Sequence, residues 1–311
     1  MESSDSQCSV RPFRALIGIL AGPGFRPSGP FLAETAGSTW PPDSVARMPV
    51  PGFELVCEIE PPTKPDLKHV RHQIGVLTSI AGTFLIPDCH IGRATVSSVA
   101  VAHEVEQMGG RSIACLNARD RNLLGFQRDL LTAAAYGVDQ FLLVQGDEPR
   151  VGGRTSQLTV QTMLSEARAF DLTAHLARSR NVRLGAVASL RGLPEWKREA
   201  DFLFVQVGFS LEALLRWHDQ VQPANAVYAG VIVLASPAMA RSLARTIPAI
   251  DIPPQLVEEV DRDPRAGIDA ACELVLAIKE THLFQGVHLI PVSCYRAVAA
   301  KLEHRLGASG G

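Results

Sequence analysis

The sequence predicts an α/β fold of the (β/α)8 TIM-barrel type, built as a single domain. From residue 53 onward, strand-like segments alternate with helix-like segments, and eight such strands can be counted. Several of them are continuous runs of Val, Ile, Leu and Phe, as expected for parallel strands covered on both faces. Eight units favour a closed barrel over an open doubly wound sheet. No G-x-G-x-x-G motif follows the first strand, which argues against a Rossmann domain.

The predicted elements are placed by their apolar periodicity. Strands are predicted at residues 53–59, 82–87, 111–117, 139–145, 181–189, 201–208, 225–234 and 285–292. Helices are predicted at residues 66–80, 97–109, 121–137, 157–169, 210–221, 237–245, 263–280 and 294–307. Residues 1–48 are rich in Pro, Gly and Ser and predict a disordered or loosely ordered tail, so the barrel is expected over residues 49–311.

Composition excludes several classes of partner. The formal net charge is −2, with 30 Lys and Arg against 32 Asp and Glu, so no basic field for nucleic acid or anionic lipid is expected. No apolar run approaches the roughly 18 residues of a membrane span. The cysteines lack the spacing of a metal site or disulfide framework, which favours a reducing, cytoplasmic setting without a structural metal. They are Cys8, Cys57, Cys89, Cys115, Cys272 and Cys294.

Polar residues mark the ends of the predicted strands. In a barrel of this type the active site lies at the C-terminal ends of the strands. Carboxylates and carboxamides are therefore expected to converge on one rim, as a site for a polar heterocycle would need. These residues are Glu58, Glu60, Asp88, Asn117, Gln145, Asp147, Gln206 and His288, with Gly146 in the turn before Asp147.

Structural alternatives remain open for each of these residues. Glu58 is also compatible with a satisfied acid in the barrel interior, and Asp147 with a turn or helix-cap residue. His288 is compatible with a hydrogen-bonded core histidine. Gln206 is harder to explain structurally, because burying a carboxamide without partners is costly. Glu60, like Glu148 elsewhere in the rim, is expected to be solvated.

Five segments, in this order and spacing, resemble the methylenetetrahydrofolate reductase family over residues 53–305. They are "CEIEPP", "DCHIGRATVSSVAVAH", "ACLNARDRNLLGFQRDLLTAAAYGVDQFLLVQGDEP", "FVQVGF" and "GVHLIP". The resemblance implies reduction of 5,10-methylenetetrahydrofolate to 5-methyltetrahydrofolate, a step of one-carbon metabolism that serves methionine biosynthesis, with NADH or NADPH as the hydride source.

The resemblance also implies roles for individual residues. Glu58 is the expected general acid that opens the five-membered ring at N10, giving a 5-iminium cation that accepts hydride. Asp147 is expected to stabilise the positive charge of the pterin, and Gln206 to hydrogen-bond the folate. The further residues expected to bind substrate are Asp88, Asn117 and His288.

Departures from the family pattern concern the flavin. Ser112 stands where family members usually have a flavin-binding His, Gln145 precedes Gly146 where Arg or Thr is usual, and Pro87 replaces a Thr. The segment between strands five and six is short, and the position of the family's flavin-binding Lys falls near Glu195. In a different alignment of this segment, Lys197 or Arg198 can take the place of that Lys. A carboxylate there repels a pyrophosphate. FAD binding is thus expected to be weak or absent, with hydride passing directly from nicotinamide to folate.

Two other functions remain open at this stage. One is a catalytically silent relative that binds folate as a sensor or accessory subunit. The other is a pterin-binding barrel methyltransferase, which carries folate but transfers no hydride.

Overall fold

The computed structural model describes residues 52–155, 157–170, 182–246 and 250–307. Eight strands close into a barrel in chain order, and each strand lies parallel to its neighbours, including the first and last. The predicted (β/α)8 barrel is confirmed. The tail predicted over residues 1–48 lies outside the described residues. No helix in the described ranges is long and apolar enough to cross a membrane.

The strands match the predicted segments to within a few residues at each end. They are β1 (Glu54–Glu58), β2 (Thr83–Ile86), β3 (Arg111–Asn117), β4 (Gln140–Val144), β5 (Arg183–Ala188), β6 (Phe202–Val207), β7 (Ala226–Ile232) and β8 (Gly286–Ile290). The helices are α1 (Lys68–Leu77), α2 (Ser98–Gln107), α3 (Leu123–Ala135), α4 (Val160–Ala169), α5 (Leu211–Val221), α6 (Pro237–Thr246), α7 (Pro254–Arg262), α8 (Arg265–Thr281) and α9 (Tyr295–Gly307).

Two connections depart from a regular alternation of strand and α-helix. Between β5 and β6 the described chain forms a 3-10 helix, Glu195–Glu199, because the connection is too short for a packed α-helix. Between α6 and α8 lies α7, which the sequence analysis did not predict. Proline at its first turn favours a helix start, but only Val260 of this helix is buried. Leu256, Val257 and Val260 do follow helical spacing, but the helix has only nine residues, so its apolar pattern is short.

The strands separate two apolar cores. Odd-numbered residues of β1, such as Leu55 and Cys57, face the surrounding helices, whereas Val56 faces the barrel interior. The interior is filled by Val56, Leu85, Ile113, Cys115, Leu142, Val144, Phe202, Phe204 and Tyr228. The Phe204 ring stacks on Tyr228 with 5.0 Å between centroids. The interior is therefore a packed core, as in other barrels of this type.

A polar cluster fills the N-terminal end of the interior. The carboxylate of Glu54 accepts hydrogen bonds from the Thr83 hydroxyl at 2.5 Å, from the Arg111 guanidinium at 2.7 Å and from the Tyr228 hydroxyl at 2.6 Å. Burial and the adjacent Glu54 charge raise the pKa of Tyr228, which stays neutral as a donor. With this end occupied by its own side chains, the C-terminal mouth is the end of the barrel that presents polar groups to a ligand.

Candidate active site at the C-terminal mouth

Glu58 and His288 meet inside the mouth, on the two strands that close the barrel. Glu58 is the last residue of β1, and His288 lies between Val287 and Leu289, which both face the helices, so its ring points inward. Glu58 Oε2 lies 3.3 Å from His288 Nε2, with side-chain exposures of 11% and 2%. Neither atom has an aligned hydrogen-bond partner in the described chain. A buried carboxylate oxygen without such a partner is rare in folded proteins and costs stability.

Apolar rings and a buried thiol surround this pair. The Phe204 ring packs edge-on against His288 with 5.1 Å between centroids. Cys115 on β3 lies within reach of the charges of Glu58 and Asp88, and its pKa is raised well above the usual value, first by burial and then by these two carboxylates. The thiol is therefore neutral. Because the charges of Glu58 and Asp88 both raise its pKa, the two carboxylates lie near the same part of the interior.

Gln206 is held at the mouth by a bulge in β6. The residues on either side of it, Val205 and Val207, face the helices, so Gln206 points to the interior, where it is 7% exposed. The register between β6 and β7 shifts at this point. A β-bulge re-aims a side chain and is common beside functional sites.

Gly230 on β7 makes this bulge possible. A Cβ atom at Gly230 would lie 2.6 Å from the carbonyl oxygen of Val205 and 3.0 Å from the amide nitrogen of Val207. The strands thus approach too closely for a side chain. Gly230 also pairs with His288 on its other side. Gln206, Gly230 and His288 therefore lie side by side across three strands.

Asp88 and Asn117 are bound to each other and to Arg121. The Asp88 carboxylate accepts from the Asn117 side-chain amide at 2.6 Å and from its backbone amide at 3.0 Å, and it forms an ion pair with Arg121. The charge of Asp88 is the largest influence that keeps the pKa of Arg121 high against the opposing effect of burial. Asn117 also caps the next turn, because its side-chain oxygen accepts from the Asp120 amide at 3.0 Å. Both predicted substrate-binding residues thus hold the ends of β2 and β3 together.

Arg119 joins the loops that follow β2 and β4. Its guanidinium is 2% exposed and donates to the Cys89 carbonyl oxygen at 3.2 Å and to the Asp147 carbonyl oxygen at 3.0 Å. It also forms an ion pair with Asp120. Burial lowers the pKa of Arg119, but the hydrogen bond and charge of Asp120 outweigh that effect and raise it overall. Arg119 therefore carries a permanent charge and fixes the backbone of Asp147.

The sequence analysis did not assign this role to Arg119. Its partners lie about thirty residues away along the chain in both directions, so no local pattern reveals them. The available signal was a basic residue two positions after Asn117, the polar end of β3.

Gly146 forms the turn that presents Asp147. Its φ is +79°, in the left-handed region that glycine adopts without strain. A Cβ atom here would also lie 3.0 Å from the Arg119 Cβ and 3.1 Å from the Asn117 Cβ. The turn is thus packed tightly against the end of β3. Asp147 itself is half-buried, whereas Glu148 is exposed and paired with Arg154.

The two rim acids expected to be solvated are exposed. The Glu60 side chain is 59% exposed and the Glu148 side chain 80%. Glu60 lies 3.7 Å from His90 Nε2 in the loop after β2.

The residues that the sequence analysis assigned to flavin positions differ in where they lie. Ser112 lies on the outer side of β3, where its hydroxyl donates to Glu106 of α2 at 2.7 Å, and it does not reach the mouth. Gln145 follows β4 directly and is half-buried at the rim. Pro87 is buried and offers no donor.

The basic residues after β5 are engaged within the chain. Lys197 Nζ donates to the Val187 carbonyl oxygen at 2.6 Å, and burial lowers the pKa of this amine. Arg198 bonds the Glu195 carboxylate at 3.1 Å and the Val221 carbonyl oxygen at 2.9 Å. Among the described residues no group of three or more His, Cys, Asp or Glu side chains is arranged to hold a metal ion.

Comparison with known proteins supports the fold. No protein-family model matches this chain, and no curated protein matches it. A protein from Clostridium thermocellum that binds two copies of 5-methyl-5,6,7,8-tetrahydrofolic acid is similar in structure, with a TM-score of 0.56, 11% identity, and coverage of 82% of this chain and 96% of that chain. An EDTA monooxygenase from Chelativorans sp. BNC1 gives a TM-score of 0.50 at 9% identity, covering 83% and 94%. A long-chain alkane monooxygenase gives 0.50 at 10%, covering 82% and 92%.

Proposed function

We propose that this protein reduces 5,10-methylenetetrahydrofolate to 5-methyltetrahydrofolate with hydride from NADH or NADPH. The observation that carries the proposal is the Glu58 carboxyl, whose Oε2 is buried at the mouth of the barrel without an aligned hydrogen-bond partner. Structural acids in a barrel interior are normally fully bonded, as Glu54 is at the opposite end. An acid left without such bonds at the catalytic end of the barrel is suited to bond a substrate.

Glu58 acts as the general acid. A proton passes from its carboxyl to N10 of the folate, the bond between N10 and the methylene carbon breaks, and a 5-iminium cation remains. Hydride from the nicotinamide then adds to the exocyclic methylene carbon, giving the 5-methyl product and oxidised nicotinamide. A general acid placed in this way contributes about 10²- to 10⁴-fold to the rate.

Asp147 and Gln206 hold the folate during this step. The carboxylate of Asp147 stabilises the cation as it forms, because a fixed charge in a partly buried site needs little reorganisation. Arg119 contributes indirectly, by fixing the backbone of Asp147 through its carbonyl oxygen. Gln206 supplies an amide donor and acceptor to the pterin, and the bulge at Gly230 sets its direction.

The residues present do not fit a resident flavin. Ser112 is turned away from the mouth and bonded to Glu106. Lys197 and Arg198 are engaged with carbonyl oxygens of this chain, and Glu195 has a side chain that is 90% exposed. A pyrophosphate would therefore meet a carboxylate where a cation is needed. We accordingly propose direct hydride transfer between stacked nicotinamide and pterin rings.

Two observations outside the site support folate as the ligand. The motifs at the strand ends resemble those of methylenetetrahydrofolate reductases, and the similar structure from Clostridium thermocellum binds a 5-methyl folate. The second observation alone is equally compatible with a silent folate-binding relative or a methyltransferase. Glu58, Asp147 and Gln206 stand at the positions to which the resemblance assigns the acid and the folate contacts, and this favours a reaction over passive binding. The reaction would take place in the cytoplasm and supply methyl groups for methionine biosynthesis.

The test is oxidation of NADH or NADPH by the purified protein, measured with and without 5,10-methylenetetrahydrofolate and with the product identified by chromatography. We expect oxidation that depends on the folate, yields 5-methyltetrahydrofolate and needs no added FAD. The purified protein is expected to be colourless. A flavin present in stoichiometric amounts and required for turnover would contradict direct transfer but leave the reaction in place. Folate binding without nicotinamide oxidation would instead support the silent relative or the methyltransferase.

A further inference from the structure

We propose that His288 and Glu58 share one proton. The general acid at the mouth is then a pair of residues, in which His288 orients the Glu58 carboxyl and supplies it with the shared proton. The catalytic consequence rests on the proposed function, but the sharing of the proton does not. Glu58 Oε2 and His288 Nε2 lie 3.3 Å apart, and both are buried without an aligned hydrogen-bond partner. Each atom is therefore the nearest available acceptor or donor for the other.

The surroundings favour a shared proton over two independent charges. A carboxylate alone in this apolar interior is poorly solvated, and so is an imidazolium alone. One proton between the two groups leaves the pair with no net charge and satisfies one hydrogen bond. The Phe204 ring packs edge-on against the imidazole with 5.1 Å between centroids, so the pair has an apolar neighbour on that side.

Other titratable groups near the pair do not compete for this proton. The Cys115 thiol on β3 and the Tyr228 hydroxyl on β7 both have a raised pKa because they are buried, so they remain neutral. The Asp88 carboxylate after β2 is compensated by its ion pair with Arg121. The proton on the pair is therefore governed by Glu58 and His288 together.

The pair extends the pH range over which a proton is available. An ordinary carboxyl group has lost its proton near neutral pH, whereas imidazole titrates near neutrality. When the shared proton passes to N10, the pair is left as a Glu58 carboxylate beside a neutral His288 imidazole, with no proton between Oε2 and Nε2. Once product leaves, one proton from water restores the unit, so the proton balance of each turnover is closed.

The test compares His288→Gln with wild type in the pH dependence of kcat. Glutamine places an amide near the position of Nε2 and can bond Glu58, but it cannot carry the proton. We expect the alkaline limb of the kcat profile to move to lower pH by about one unit or more, and kcat at neutral pH to fall on the order of tenfold, with KM for folate little changed. His90→Gln is the matched control, because His90 contacts the exposed Glu60 at 3.7 Å. It is expected to leave the profile unchanged.

A second measurement does not depend on turnover. Nitrogen-15 NMR of the imidazole of His288 reports its protonation and tautomer as pH is varied, and Glu58→Gln removes the partner. Under the proposal, this substitution changes the titration of His288. An unchanged titration of His288 in Glu58→Gln, or an unmoved alkaline limb in a folded His288→Gln protein, would overturn the proposal. If wild-type protein shows no turnover, the proposed function fails, and NMR alone decides whether the proton is shared.

Discussion

Glu58 Oε2 lies 3.3 Å from His288 Nε2 across the seam where β8 pairs with β1 and closes the barrel. Two titratable side chains therefore face each other in the interior of the barrel mouth. The opposite end of the same interior shows the structural solution for a buried acid, since Glu54 accepts three hydrogen bonds there. This contrast within one barrel gives Glu58 a chemical rather than an architectural explanation.

Replacing Glu58 with Gln is expected to abolish turnover while leaving folate binding largely intact. The amide keeps the size of the side chain and removes the proton that opens the ring, so kcat falls by about 10²-fold or more. Steady-state kinetics give the loss in kcat, and titration of folate by fluorescence or calorimetry gives the binding constant. Glu60→Gln is the control, because Glu60 is a solvated rim acid whose side chain is 59% exposed. Turnover that survives in Glu58→Gln would show that another group is the acid.

Replacing Gly230 with Ala is expected to destabilise the protein by about 1–3 kcal/mol and to weaken folate binding. The added methyl group would lie 2.6 Å from the Val205 carbonyl oxygen, so β6 and β7 must separate and the bulge that directs Gln206 must change. Urea unfolding measures the first effect and folate titration the second.

Gly75→Ala is the matched control for this substitution. Gly75 lies in α1, and a Cβ atom there meets nothing within 4 Å. Alanine is favoured over glycine in a helix by about 1 kcal/mol, so this variant is expected to be as stable as wild type or more stable. Equal behaviour of the two variants would contradict a specific role for Gly230.

Replacing Arg119 with Met is expected to lower the free energy of unfolding by about 3–6 kcal/mol and to weaken folate binding. Two charge-assisted hydrogen bonds to the carbonyl oxygens of Cys89 and Asp147 are lost, and each is worth about 1.5–3 kcal/mol. Arg128→Met is the control, because Arg128 is 73% exposed, and surface changes usually stay within about 0.5 kcal/mol. Loss of stability without any change in folate binding would show that Arg119 does not position Asp147 for the ligand.

Local patterns explain which parts of this molecule are predictable from sequence. The eight strands were located from their apolar periodicity, several of them as continuous apolar runs, and polar residues stand at or near their C-terminal ends. Glu58 and Gln206 were therefore found as candidates. Their surroundings were not, because Gly230 acts on a bulge in the neighbouring strand and Arg119 binds loops about thirty residues away. The pairing of Glu58 with His288 needs the barrel to close, since the two residues belong to its first and last strands.

Replacing Asp120 with Asn is expected to reduce the loss of stability in acid. Burial acts to raise the pKa of Asp120, but the hydrogen bond and charge of Arg119, with a further bond from Asn117, lower it below its usual value. A carboxyl whose pKa is lower in the folded state stabilises the protein above its unfolded value, near 3.9, and loses that contribution as pH falls through the folded value. Wild type and Asp120→Asn should thus differ most at neutral pH and converge in strong acid. Urea unfolding at a series of pH values below 5 measures this convergence.

Asp219→Asn on α5 is the control, because Asp219 is exposed and has no ion pair among the described residues. Parallel stability curves for wild type and Asp120→Asn would mean that the ion pair with Arg119 contributes nothing to acid sensitivity.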